Sequence, residues 1–117
     1  MMLTPKRWHL YIVNLAPTVR SKPGKQRPCL VIQPTEFSEN GLLSTVILPI
    51  TTKIAAGDAF PLRVRIPKNV AGLIHESDIL IDQILAWDNS FFCQELGVLP
   101  ENLIEHVKIA LVDFLDL

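Results

Sequence analysis

Three polar side chains beside apolar runs have the chemistry to act on a phosphate: Arg27, Thr51 and Asp82. Arg27 stands where a polar stretch runs into Pro28-Cys29-Leu30-Val31-Ile32, so its guanidinium is expected at a loop-to-strand junction. Held rigidly there, it can offer a planar, two-pronged donor to phosphate oxygens. Thr51 and Thr52 follow Leu48-Pro49-Ile50 and are expected to close a strand, with two hydroxyl donors at the sheet rim. Asp82 lies between Ile81 and Gln83, with Leu80 and Ile84 beyond, and a strand of that composition would partly desolvate its carboxylate. Singly, each has a plainer explanation: a surface ion pair, a strand cap, a turn or rim carboxylate.

Other chemistries lack their residues. His9, His75 and His106 are scattered and neither Cys29 nor Cys93 has a near partner, so no zinc spacing exists. Gly24 stands without the glycine pattern or the Lys-Ser/Thr of a phosphate loop. No serine sits in a nucleophile turn. The sequence therefore calls for no metal and no cofactor. Cys29 and Cys93 each lie in an apolar stretch and are expected as two buried, reduced thiols.

The net charge of −1 conceals an uneven distribution. Six cations (Lys6, Arg7, Arg20, Lys22, Lys25, Arg27) and no anion occur from Met1 to Thr35. From His75 to Leu117 there are nine anions against Lys108 alone. Such a chain is expected to present a positive face able to hold a short polyanion locally. Ordinary solvated charges paired across the surface explain the same counts equally well.

The elements that would position these residues are short strands followed by one helix. Trp8 to Leu15 is rich in β-branched and aromatic residues and predicts a first strand. Ala16 to Gln26, with Pro17, Pro23 and Gly24, predicts a long mobile loop. Arg27 to Gln33 is a near-continuous apolar run, as a strand buried on both faces shows. Asn40-Gly41 predicts a hairpin turn into Leu43 to Ile50. Leu62, Val64 and Ile66 alternate with Arg63 and Arg65 in another strand. Asp78 to Trp87 predicts one further strand, and Phe91 to Val98 a last short one.

Pro100 and Glu101 suit the first turn of a helix. Beyond them Leu103, Ile104, Val107, Ala110, Leu111, Phe114 and Leu115 recur at three and four residues, leaving Ile109 and Val112 off the apolar stripe. At 117 residues the chain is expected to fold as a single domain, 1–117. Its 49% hydrophobic content excludes disorder, and charged residues or prolines interrupt every candidate membrane span. With no signal-peptide pattern at the N-terminus, a cytoplasmic protein is expected. The elements together predict a mainly β fold, a small and strongly bent barrel with a C-terminal α-helix.

Three motifs in order carry a resemblance to a known family. The segment from Pro17-Thr18 through Gln26-Arg27-Pro28 into Cys29-Leu30-Val31-Ile32 resembles the Pro-Thr, loop, Arg-Pro, apolar-run signature of the MazF/PemK (Kid-like) toxins of type II toxin-antitoxin systems. Leu48-Pro49-Ile50-Thr51-Thr52 is similar to that family's second signature, and Asp82-Gln83-Ile84 with Asp88 to its third. The opening Arg7-to-Leu15 strand and the closing helix fall in the same order, so the likeness spans almost the whole chain. It implies an SH3-like barrel, a homodimer, and metal-independent, sequence-specific cleavage of single-stranded RNA by attack of the 2′-hydroxyl on the adjacent phosphorus. It also implies a cognate antitoxin whose disordered acidic tail occupies the same groove.

On that resemblance Arg27 and Thr51 stabilise the phosphorane charge and Asp82 is a candidate base. Arg20, Lys22, Lys25, Thr52, Lys53 and Gln83 are candidates to bind RNA. The chain also departs from its relatives. Trp8-His9 replaces a usual Gly-Asp, Arg20-Ser21-Lys22 alters the loop, and Leu80 and Leu85 stand where relatives carry arginines. The departures leave a second reading open: a non-catalytic binding module on the same fold, either a degenerate toxin or a topoisomerase-inhibiting relative.

Overall fold

The computed structural model describes residues 3–16 and 25–117. Arg20, Lys22 and most of the expected Ala16-to-Gln26 loop lie outside these residues. The elements run β1 (His9–Ala16), β2 (Lys25–Val31), α1 (Thr35–Glu39), β3 (Ser44–Thr51), β4 (Arg63–Ile66), β5 (Ser77–Leu80), β6 (Leu85–Asp88), β7 (Phe92–Val98) and α2 (Glu101–Leu115). All strand pairings are antiparallel, in the order β4-β5-β3-β2-β1-β7, with β6 also paired to β3. The fold is mainly β with a C-terminal helix, as expected. Among the described residues no ladder joins β4 to β7, so the bent sheet stays open. No helix in this part of the chain is long and apolar enough to cross a membrane.

Both faces of the central strands are covered, which explains the unbroken apolar run of β2. Leu10, Leu30 and Leu48 form one register row across β1, β2 and β3. They pack with Val64, Ile66, Ile79 and Ile81 against Leu103, Ile104, Val107 and Ala110 of α2. The opposite face buries Tyr11, Val13, Cys29, Val31, Ile47 and Phe92. Burial of a large aliphatic side chain contributes roughly 1.5–3 kcal/mol, so these two clusters hold the sheet. The apolar stripe of α2 is buried through Ala110, whereas Phe114 and Leu115 are exposed. Pro100 is the N-cap, one residue outside the helix it was expected to open.

Two other expectations need correction. Asn40 and Gly41 do turn the chain, but they end the short helix α1 instead of forming a two-residue hairpin. The Asn40 amide donates to the Glu36 carbonyl, and Gly41 takes φ 96°, a left-handed value that glycine adopts freely. The single strand expected from Asp78 to Trp87 is two strands. β6 pairs with β3 from Ser44 to Ile47, while β5 pairs with it at Ile50 and Thr51. Pro49, which has no amide hydrogen for a ladder, lies where β3 changes partner. Ile81 stays fully buried inside the turn between β5 and β6, so the apolar pattern runs through the bend and conceals it.

Candidate active site

The site arises where β2 and β3 part company. Their ladder ends at the pair Cys29 and Pro49. Beyond it β2 stays paired with β1, Arg27 opposite Val13, and β3 with β5, Thr51 opposite Asp78. Pro28 and Pro49, neither with an amide hydrogen, stand at the fork. Arg27 and Thr51 each lie two residues past that last pair, one on either branch of the fork. A cleft of about 450 Å³ opens between them.

Its apolar lining includes Ile12, Pro28, Ile50 and Leu96. Polar groups ring it: Lys25, Gln26 and Arg27 from β2, and Thr51, Thr52 and Lys53 from the end of β3. The far wall is Gly72-Leu73-Ile74-His75, part of the connection between β4 and β5. That connection lies so close to β7 that a side chain on Gly72 would meet the backbone of Leu96. The buried Ser77 donates from Oγ to the His75 carbonyl at 2.9 Å and fixes the end of the wall.

The electrostatics of the cleft are one-sided. Among the described residues no carboxylate pairs with Lys25, Arg27 or Lys53. Arg27 is half-buried and lines the cleft. The Thr51 Oγ accepts from the Lys53 amide at 3.1 Å, which leaves the hydroxyl proton available to an incoming oxygen. A phosphate is the group such a cleft can hold. Lys25, Arg27 and Lys53 could meet its charge, and Thr51 and His75 line the same cleft.

The sequence profile of the PemK-like, MazF-like toxins of type II toxin-antitoxin systems matches residues 6–115. The chain belongs to this family. It is 31% identical over 111 residues to the endoribonuclease MazF6 of Mycobacterium tuberculosis, a match covering 95% of this chain and 96% of that protein. The endoribonuclease EndoA of Bacillus subtilis is 29% identical over 115 residues, covering 93% and 97%. Among solved structures, the MazF-mt6 toxin of M. tuberculosis superposes with a TM-score of 0.76 at 20% identity, covering 93% and 97%. A MazE–MazF crystal structure from Deinococcus radiodurans gives 0.78 at 22%, covering 98% of each chain. These two likenesses concern the fold.

The positions of the other expected residues in this MazF-like toxin differ from one another. Thr52 and Lys53 line the cleft with Lys25. Asp82 and Gln83 do not: both are exposed on the turn between β5 and β6. Asp82 was expected inside an apolar strand, and the bend that splits that strand turns it out to water. Cys93 is exposed where two buried thiols were expected, because it falls on the outward side of β7; only Cys29 is buried. Burial pushes the Cys29 thiol up to about 12, against a small opposing pull from Arg27. In the sequence His75 was weighed only as a metal ligand and Ser77 was not singled out. Nothing in the run from Ala71 to Ser77 repeats, and the close approach of Gly72 to β7 is what carries His75 to the cleft.

Proposed function

We propose that this chain is the toxin of a type II toxin-antitoxin pair and an endoribonuclease that cuts single-stranded RNA in the cleft at the β2–β3 fork. The observation that carries the reading is the cleft where the β2–β3 ladder ends, lined by both Arg27 and Thr51 with Lys25 and Lys53 beside them. The 2′-oxygen of the substrate bonds to the adjacent phosphorus, and the bond from phosphorus to the 5′-oxygen breaks. A 2′,3′-cyclic phosphate and a 5′-hydroxyl remain. Arg27 and the Thr51 hydroxyl donate to the phosphorane oxygens, where negative charge develops. Lys25, Thr52 and Lys53 hold the flanking phosphates and riboses. His75 lines the cleft and is the residue we offer for the proton of the 2′-hydroxyl, since Asp82 does not line it.

The same charge pattern suits the acidic tail of an antitoxin, which would fill the cleft and displace RNA. The MazE–MazF structure with which this chain superposes supports that partner. A homodimer is the assembly we assign, with Ile109 (54% exposed) and Val112 (49%) on α2 available to a second copy. The cytoplasm, where its RNA substrate is made, is the place of action we assign. Incubation with a long single-stranded RNA in a chelating buffer tests the reading. Cleavage with cyclic-phosphate ends is expected, and Arg27→Ala or Thr51→Ala should each slow it on the order of 100- to 1000-fold while the fold stays intact. Equal cleavage by both variants would refute this active site. Binding without cleavage by the unchanged protein would favour the non-catalytic module.

A further inference from the structure

Asp78 is 1% exposed, and its carboxylate sits in the same transverse row of the sheet as the reaction site: opposite Thr51 on β3 and opposite Arg65 on β4. Burying a carboxylate is costly unless it is paired and fully hydrogen-bonded. Here the partners do more than neutralise it. Its Oδ2 accepts from the Ala55 amide at 2.8 Å and from Arg63 Nη1 at 3.1 Å, and its Oδ1 accepts from Arg65 Nε. Arg63 Nη1 also donates to the Lys53 carbonyl at 3.0 Å, and Arg65 Nη2 to the Ala55 carbonyl at 2.8 Å. The Lys53 amide in turn donates to the Thr51 Oγ.

The stretch from Thr52 to Ala55 leaves the end of β3 and has no strand ladder of its own. One buried carboxylate and two guanidiniums supply the partners of the Lys53 carbonyl and of both backbone groups of Ala55. The alternating Arg63 and Arg65, which from sequence only mark the polar side of a strand, are thus turned toward the back of the cleft wall.

We propose that Asp78, acting through Arg63 and Arg65, is a positioning residue that sets Thr51 and Lys53 in their working places. This rests on the reading of the cleft as a ribonuclease site. A misplacement of about 1 Å at a reacting group can cost on the order of 100-fold in rate, so a wall held at three backbone groups has a direct bearing on turnover.

The test is a double-mutant cycle with a long single-stranded RNA. Arg63 is partly exposed, so Arg63→Ala leaves the Arg65–Asp78 pair and the fold in place. It should lower kcat by about 10- to 100-fold with little change in KM. In a background of Thr51→Ala with Lys53→Ala the same substitution should change the rate by less than about 2-fold, since both side chains it positions are already gone. Asp78→Asn should lower kcat as well and speed hydrogen exchange at the Ala55 amide. An Arg63→Ala enzyme as fast as the unchanged one would overturn the inference while sparing the nuclease reading. So would rate losses that simply multiply with those of the Thr51→Ala, Lys53→Ala pair. RNA left uncut by the unchanged protein would overturn both.

Discussion

Three described cations line the cleft, Lys25, Arg27 and Lys53, and their number sets how steeply RNA binding should depend on salt. Each phosphate neutralised on a single strand contributes about −0.7 to the log–log slope, so three give about −2.1. Raising the salt fourfold, from about 50 to about 200 mM, should then weaken binding by about 20-fold. Lys25→Glu with Lys53→Glu leaves Arg27 alone, for a slope of about −0.7 and a loss of about 3-fold over the same range. Fluorescence anisotropy with a short 2′-O-methyl RNA, which binds but cannot be cut, reads the slope directly. Arg7 supplies a control: it lies over the Trp8 ring at 4.7 Å and does not line the cleft, so Arg7→Glu should leave the slope unchanged. Reversing Arg20 and Lys22 measures what the segment between β1 and β2 adds. An unchanged slope in the Lys25→Glu, Lys53→Glu variant would refute the reasoning and place the RNA on another face.

Gly97→Ala should destabilise the protein by about 1–3 kcal/mol in urea denaturation. The added carbon would lie 2.7 Å from the carbonyl carbon and oxygen of Ala71, backbone that cannot easily retreat; a change near zero would mean that β7 and the cleft wall are not in close contact. A small alkylating reagent should modify Cys93 rapidly and Cys29 only on unfolding, as mass spectrometry would show, given the burial that raises the Cys29 thiol to about 12. Acid should remove stability in a predictable sense. Burial pushes Asp78 up, but hydrogen bonds from Arg65, the Ala55 amide and Arg63 outweigh it and hold the group below its ordinary value. The hydrogen bond from His9 holds Glu95 down in the same way. The stability both supply is therefore present above about pH 4, the unfolded value, and is lost as pH falls through their lowered folded values. Asp78→Asn and Glu95→Gln should each flatten the fall of the urea midpoint below about pH 4, and unaltered curves would count against the pairings.

Local pattern alone placed the strands around Leu10, Leu30, Leu48 and Val64, and the helix from Leu103 to Ala110. Those segments bury a fixed face, and a face imposes its period on the residue types. The order Arg27-Pro28, Pro49-Ile50-Thr51, Asp82-Gln83 was likewise legible as a family signature, because it is carried by residue identity and spacing. Which of those residues meet in space was not. Arg27 and Thr51 share a cleft because two proline-bearing strands lose their ladder at Cys29 and Pro49, a fact of pairing between distant segments. Asp82 faces water because β3 exchanges β6 for β5 across Pro49, and the bend lies inside an apolar run that continues through the buried Ile81. His75 reaches the cleft through the contact of Gly72 with Leu96. Asp78 was indistinguishable in sequence from the other acids of the C-terminal half until β4 and β5 paired and set Arg65 opposite it. Periodicity follows from one element and one face, whereas a site is built from register and bends, which depend on every strand at once.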